Sequence, residues 1–190
     1  GTRFMPITKA IPKEMLPIID TPIAHHIVTE ALHANINHII FITNPEKPSI
    51  EKYFQQHPDF SMMTFTYVQQ KEQLGLGHAV NCAEPYVGNE PFIVMLGDLI
   101  FSSQSRVLSS MIQGYAQCRT SIVAVRLSKG DEIRKYGVVN GPEISGIKLW
   151  NIHSMVEKPD PVNAPGPWVI PGRYILEPRV SHHLKQIKRG

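Results

Sequence analysis

Four short segments of β-branched, aromatic and aliphatic residues alternate with helix-type segments over the first two thirds of the chain. The strand-type segments are residues 38–43, 64–68, 92–96 and 121–125. Three of the four are apolar nearly throughout, which is typical of strands covered on both faces in a mainly parallel sheet. The predicted helices are residues 22–35, 49–57, 77–83 and 105–118, and Thr21 is the predicted N-cap of the first. This order predicts an α/β fold with a Rossmann-like, doubly wound sheet.

The pattern changes at about residue 131. Beyond it, glycine and proline separate the strand-type segments 138–139, 147–156 and 168–176, and the next helix is predicted only at 179–188. Residues 159–167 contain four prolines and are predicted to form a loop. We expect a small antiparallel extension that carries a substrate site. Residues 1–190 would then form one domain with two parts, 1–130 and 131–190.

Composition excludes several classes of protein. The chain has 190 residues, of which 42% are hydrophobic, enough for the core of one domain. No apolar stretch approaches the roughly 18 residues of a membrane-spanning helix. The net charge of +3 comes without a long basic run, so neither a membrane nor a nucleic acid is an expected partner. Cys82 and Cys118 are too few for a disulfide framework and indicate a reducing cytoplasm.

The N-terminal segment is basic and rich in proline. Arg3, Lys9 and Lys13 lie among three prolines within residues 1–18. Proline restricts the backbone, while arginine offers a planar fork and lysine a point charge for phosphate oxygens. A stiff basic loop therefore suits a polyphosphate ligand. The alternative, equally consistent with the spacing, is a solvated surface connector.

The same segment carries a family resemblance. Its pattern, G-T-R-F-x-P-x-T-K-A-x-P-K-E-M-L-P-I, resembles the signature loop of sugar-1-phosphate nucleotidylyltransferases, in particular the bacterial UTP:glucose-1-phosphate uridylyltransferases. Further segments resemble that family in order along the chain: 70–80, 96–98, 136–137, 156–159 and 172–174. The resemblance implies a cytoplasmic, Mg²⁺-dependent homo-oligomer that forms UDP-glucose and pyrophosphate from UTP and glucose-1-phosphate.

The resemblance also assigns roles to the two parts of the chain. It implies that residues 1–130 bind the nucleotide, with Gly1, Thr2, Arg3 and Lys13 at the triphosphate, and that 131–190 bind the sugar phosphate. Arg3, Lys13 and Lys158 are the expected catalytic residues. In the family the loop continues from an Ala-Gly-x-Gly turn, so we expect this chain to be incomplete at both ends. A thymidylyltransferase and a non-catalytic regulatory protein that binds sugar nucleotides are the alternatives.

Gln70 and Gly75 are candidates for binding the base. Gln70 closes a strand, and Gly75 precedes a helix, where the missing side chain would let a flat ligand approach. An amide presents a donor and an acceptor side by side, which matches the edge of uracil or thymine. The resemblance implies that these residues hold the uracil, although Gln69 stands where the family commonly has arginine. An ordinary strand-to-helix turn is the structural alternative.

Asp98 is the candidate metal ligand. It follows an apolar strand, and ligands of open α/β sheets gather beyond the carboxyl ends of the strands. A carboxylate at that edge can hold Mg²⁺ against phosphate oxygens, or it can simply cap a turn. The resemblance implies the magnesium role and a second carboxylate beyond Gly190.

Gly137, Glu157 and Lys158 are the candidates for binding the sugar phosphate. The resemblance implies that Glu157 binds sugar hydroxyls, that Lys158 binds the phosphate, and that Gly137 lets the backbone approach the sugar. Pro159 is expected to hold Lys158 in an extended conformation. Neighbours on a strand point to opposite faces, so the two side chains could share a ligand only if the strand ends or twists there. A surface ion pair and a hairpin glycine are the structural alternatives.

Two pairs of adjacent histidines, His25-His26 and His182-His183, lie on predicted helices. Neighbours on a helix point about 100° apart, whereas two ligands of one metal need a spacing of three or four residues. We therefore interpret all four histidines as structural and assign them no chemistry.

Overall fold

The computed structural model describes residues 11–43, 48–102, 105–144 and 149–186. The strands are β1 Pro17–Ile18, β2 Thr21–Pro22, β3 His38–Thr43, β4 Thr64–Gln69, β5 Phe92–Met95, β6 Ile122–Val123, β7 Arg126–Leu127, β8 Gly137–Asn140, β9 Ser154–Glu157, β10 Trp168–Val169 and β11 Arg173–Leu176. The α-helices are α1 Ile23–His33, α2 Ser49–Gln56, α3 Leu76–Cys82, α4 Glu84–Val87, α5 Val107–Cys118 and α6 Val180–Gln186. Short 3-10 helices occur at Lys13–Met15, Pro58–Phe60, Gly130–Lys135 and Pro161–Asn163.

β3 and β4 form a parallel pair, in register from His38 opposite Thr64 to Thr43 opposite Gln69. Parallel neighbours need a crossover connection, and α2 lies in the chain between them. Residues of α1, α2 and the Pro58–Phe60 turn bury a common apolar cluster beside this pair: Ala24, Val28, Ile50, Phe54 and Phe60. The parallel helix-and-strand architecture confirms the predicted α/β class.

A second sheet has the order β5-β11-β6, and β11 is antiparallel to both neighbours. Ile175 of β11 packs in a core with Leu108 and Met111 of α5. The prediction of one strand-type segment over 168–176 in the extension is wrong, because β10 and β11 belong to different sheets. The chain turns between them at Gly172, whose φ of 76° is a conformation that residues with a side chain rarely adopt.

The predicted antiparallel extension is a four-stranded sheet with the order β7-β10-β8-β9. Its small core contains Ile133, Val138 and Val169. The two parts of the chain interleave across this sheet and the previous one. β7 precedes residue 130 but belongs to the sheet of the extension. β11 follows residue 130 but pairs with β5 and β6. The division into nucleotide and sugar-phosphate parts at about residue 130 stays a prediction.

The first helix begins at Ile23, and the prediction of Thr21 as its N-cap is wrong. Thr21 lies opposite Ile18 in the β1–β2 hairpin, and its hydroxyl donates to Asp20 Oδ1 at 2.9 Å. The hairpin therefore occupies the position at which a capping residue would stand. Among the described residues, none of the helices combines the length and the apolar character needed to cross a bilayer.

Candidate active site

Lys13 and Asp98 are brought together from distant parts of the sequence. Lys13 lies in the first 3-10 helix, and Asp98 lies in the loop after β5. Lys13 Nζ donates to Asp98 Oδ2 at 2.6 Å and lies 3.8 Å from Glu14 Oε1. Both side chains of the shorter pair are partly exposed, and such pairs contribute at most about 1 kcal/mol to stability. The pair therefore contributes little to the stability of the fold, and both charges are accessible from solvent.

Gly97 makes room for this cluster. A Cβ built on Gly97 would lie 2.9 Å from Cγ of Glu14, closer than real Cβ atoms come to other atoms. The glycine before Asp98 therefore lets the 3-10 helix approach the loop after β5. Gly1, Thr2 and Arg3, the other predicted triphosphate residues, lie outside the described residues.

Gln70 and Gly75 form one turn between β4 and α3. The amide nitrogen of Gln70 donates to the Gly75 carbonyl at 3.2 Å and lies 2.9 Å from His78 Nδ1. Gly75 has φ 90° and ψ −175°, a region that is essentially restricted to glycine. A Cβ built there would meet no atom within 4 Å, so the turn is open on that side. The two predicted base-binding residues are thus adjacent, and the surface above Gly75 is open to a ligand.

Gly137 and Glu157 are directly paired across β8 and β9. A Cβ built on Gly137 would lie 3.2 Å from Glu157 Oε2, tighter than most real Cβ contacts. The glycine therefore leaves the Glu157 carboxylate in its position over the strand. β9 ends at Glu157, and Lys158 Nζ lies 3.2 Å from Glu157 Oε1. The strand end brings both side chains to one place, which was the condition for a shared ligand.

Lys158 has φ 46°, so the expectation of an extended backbone before Pro159 is wrong. The Lys158 amide donates to the Tyr136 carbonyl at 3.0 Å, which ties the residue to the start of β8. A non-glycine residue in the left-handed region costs about 1–2 kcal/mol. Such strain concentrates at functional sites, where the surrounding structure imposes it. The side chain itself is 61% exposed.

Arg173 at the start of β11 holds the loop that carries Asp98. Its side chain is fully buried, and its Nη2 donates to Glu30 Oε2 of α1 at 2.7 Å. The same guanidinium donates to the carbonyls of Leu96 and Leu99, which flank Asp98, at 3.4 and 2.8 Å. It also lies over the Phe101 ring, 4.7 Å from the centroid. The Arg173 side chain therefore holds the loop after β5 in place.

Sequence reasoning missed this role of Arg173 and Glu30. A charged residue at the head of the apolar segment Tyr174-Ile175-Leu176 is a signal that could have been used, because arginine is almost never buried unless it is paired. The partner could not have been found in this way, since Glu30 lies 143 residues away.

Tyr174 connects β11 to the sugar-phosphate candidates. It lies opposite Val94 of β5 and Val123 of β6. Burial raises the pKa of Tyr174, and the negative charge of Glu157 raises it further. Glu157 is therefore close enough for its charge to act on a side chain of the central strand. Arg173 contacts the Asp98 loop directly, whereas Tyr174 is affected by Glu157 only through its charge.

Known proteins are similar to this chain in both sequence and architecture. Residues 1–190 match the nucleotidyl transferase family. The chain belongs to that family. It is 38% identical over 210 aligned residues to the UTP–glucose-1-phosphate uridylyltransferase YngB of Bacillus subtilis, covering all of this chain and 70% of the relative.

Solved structures of the nucleotidyl transferase fold agree. A UDP-glucose pyrophosphorylase complexed with UDP-glucose superposes with a TM-score of 0.92 at 39% identity, covering all of this chain and 77% of that one. A UTP-bound UGPase from Acinetobacter baumannii gives a TM-score of 0.87 at 31% identity, over 97% of this chain and 73% of the other. These likenesses fix the fold of this nucleotidyl transferase, while the roles of its individual site residues stay predictions.

The buried pair is expected to dominate the stability of the site. Arg173→Met leaves the Glu30 carboxylate buried without its counter-ion, and we expect a loss of about 3–5 kcal/mol in the free energy of unfolding. The double variant Arg173→Met with Glu30→Met should recover part of that loss, because no charge is left unpaired. Urea denaturation measures both.

Arg179→Met is the matched control. Arg179 pairs with Glu177 on the surface, so its loss should cost under about 1 kcal/mol. If Arg173→Met is as mild as this control, Arg173 does not hold the loop.

Proposed function

We propose that this chain transfers the uridylyl group of UTP to glucose-1-phosphate, forming UDP-glucose and pyrophosphate. The observation that carries the proposal is the pairing of Gly137 with Glu157 beside Lys158, in a chain whose relatives are named for this activity. A phosphate oxygen of glucose-1-phosphate attacks the α-phosphorus of UTP. The bond between the α-phosphorus and the bridging oxygen breaks, and pyrophosphate leaves with the electron pair.

Positioning and charge are what the protein supplies to such a displacement. We assign the triphosphate charge to Lys13 and Arg3, and we assign Gly1 and Thr2 to binding of the same ligand, as the family resemblance implies. In the structure the Lys13 ammonium is paired with the Asp98 carboxylate. A triphosphate carries more negative charge than this carboxylate and therefore attracts the Lys13 ammonium away from it. Binding of UTP thereby releases a carboxylate oxygen of Asp98 at the moment when the phosphates arrive.

The chemistry of Asp98 fits Mg²⁺. A carboxylate oxygen is a hard ligand of the kind this ion prefers, and the side chain is partly exposed beside Lys13. Asp98 would hold the ion, which when bound neutralises charge on phosphate oxygens. The fixed carbonyls of Leu96 and Leu99 keep Asp98 in place for this role.

The two ends of the product are assigned to separate clusters. Gln70 and Gly75 bind the uracil. The Gln70 amide hydrogen-bonds to the edge of the base, and the face of the base packs on the open side of Gly75. Glu157 accepts from sugar hydroxyls, and Lys158 orients the phosphate of the incoming sugar. Gly137 keeps the space between them clear.

The substrates also bear on location and assembly. UTP and sugar phosphates are intracellular metabolites, and Cys82 and Cys118 are both free thiols. We propose a cytoplasmic enzyme, and a homo-oligomer stays the expected state.

A panel of nucleoside triphosphates and sugar phosphates, assayed for pyrophosphate release, tests the function. We expect release with UTP and glucose-1-phosphate, and slower release with dTTP. Faster release with dTTP would make the protein a thymidylyltransferase. Binding of UDP-glucose without release from any pair would make it a regulatory binding protein.

Asp98→Asn is expected to lower the Mg²⁺-dependent rate about 100-fold, because the amide keeps the shape of the side chain and loses its charge. The melting temperature should hardly change, since the pair with Lys13 is a surface pair. Turnover against Mg²⁺ concentration and melting temperature are measured on the same protein.

Asp131→Asn is the control for Asp98, because Asp131 is 93% exposed and pairs with Arg134 at the surface. We expect its turnover to match the unmodified protein. An Asp98 variant with a lower melting temperature and unaltered Mg²⁺ dependence would assign Asp98 to turn capping instead.

Lys158→Gly should separate function from stability. Glycine adopts φ 46° without strain, so the melting temperature should hold or rise. The loss of the ammonium should raise the KM for glucose-1-phosphate at least ten-fold and leave UTP affinity nearly unchanged. Steady-state kinetics with each substrate varied, together with a melting curve, give both results.

Arg119→Gly is the matched control for Lys158, because Arg119 also has a left-handed backbone, with φ 48°, at the C-terminal end of α5. It should show the same tolerance in stability and normal kinetics. Weaker UTP binding in Lys158→Gly, with an unchanged KM for the sugar phosphate, would show that Lys158 binds UTP rather than the sugar phosphate.

A further inference from the structure

Three metal-ligand side chains converge away from the active-site candidates. His25 lies on α1, and His57 and Asp59 lie in the turn after α2. One ligand atom from each of the three lies within 4.8 Å of the other two. The adjacent pair His25-His26 cannot chelate one ion, but the fold supplies His25 with a different imidazole partner from a second element.

The distances among the three groups suit a small cation. His25 Nε2 lies 3.9 Å from Asp59 Oδ2, and His57 Nδ1 lies 3.8 Å from the same oxygen. Around Zn²⁺, tetrahedral bonds of roughly 2.0–2.2 Å place ligand atoms about 3.4 Å apart. The side chains of Asp59 and His57 are 62% and 27% exposed and can rotate to shorten these separations, all of which are within 4.8 Å.

His25 is already oriented as a ligand. Its Nδ1 lies 3.0 Å from the Tyr53 hydroxyl, and its ring packs 4.8 Å from the Phe60 centroid. A metal-binding histidine usually has its second ring nitrogen engaged in this way, which fixes the tautomer and leaves Nε2 for the metal.

One existing contact competes with a metal. The Asp59 amide donates to His57 Nδ1 at 3.4 Å. This bond is long, and its donor lies in an exposed turn where water can replace the imidazole. Breaking it therefore opposes binding only weakly.

We propose that His25, His57 and Asp59 form a binding site for one divalent transition-metal ion of the Zn²⁺ class, separate from the Mg²⁺ of the proposed reaction. Two imidazoles and one carboxylate suit such a cation, whereas Mg²⁺ prefers oxygen ligands. The bound ion ties α1 to the turn after α2. Both elements contribute to the apolar cluster that contains Phe54 and Phe60, so the ion stabilises this part of the fold.

Zinc chloride titrated into metal-stripped protein, with excess Mg²⁺ present and a chromophoric chelator as competitor, tests the site. We expect one equivalent to bind and to raise the melting temperature. His57→Gln should weaken Zn²⁺ binding at least ten-fold and remove the thermal shift. If His57→Gln does not fold, Asp59→Asn, whose side chain is exposed, is expected to give the same result.

The control is the double variant His182→Gln with His183→Gln. It removes the other adjacent histidine pair, which lies on α6. Its Zn²⁺ affinity should equal that of the unmodified protein. Equal affinity in the site variant and the unmodified protein, loss of binding in the control, or displacement of the zinc by Mg²⁺ would each overturn the proposal. The measurement needs no turnover, so its outcome is independent of the proposed uridylyl transfer.

Discussion

The buried ion pair between Arg173 and Glu30 is the contact on which the candidate active site depends. Arginine has five N–H groups, and here Glu30 and the carbonyls of Leu96, Leu99 and Gly172 accept from all three guanidinium nitrogens. Removing a guanidinium from water is costly unless each donor is satisfied, so this geometry is tightly specified. It joins α1, the loop after β5 and the start of β11 into one unit. Asp98 lies on that loop, so the contacts of Arg173 also fix the position of Asp98.

β11 is the element that relates the two halves of the site. It lies between β5 and β6, next to the loop of Asp98, while the preceding β10 belongs to the other sheet. The turn at Gly172 is tightly packed, because a Cβ there would lie 2.7 Å from Leu96 Cδ1. A reaction that joins a nucleotide to a sugar phosphate needs its two binding regions held at a constant separation. The short segment from β10 to β11 runs from one sheet to the other and therefore connects the two sheets directly.

Local sequence patterns predicted the helices and strands that are determined by interactions between residues near in sequence. The apolar run at 38–43 became β3 with the predicted bounds, and the five predicted helices lie within a few residues of α1, α2, α3, α5 and α6. The short helix α4 was not predicted. What failed depends on distant contacts. The β1–β2 hairpin at Thr21 stands where a cap was predicted, and the Tyr136 carbonyl holds Lys158 in a left-handed conformation. β11 pairs with β5 and β6 in the second sheet instead of joining the extension. His25 met His57 rather than His26 for the same reason, since only the tertiary fold brings two helical segments together.

In the proposed reaction one ligand, UDP-glucose, spans the Gln70 and Glu157 clusters. A crystal structure of the protein with UDP-glucose tests it most directly. We expect the uracil edge within hydrogen-bonding distance of the Gln70 amide, its ring over Gly75, and the glucosyl hydroxyls at the Glu157 carboxylate. A nucleotide bound in the reverse orientation, with the base at Glu157, or bound away from both clusters, would contradict it.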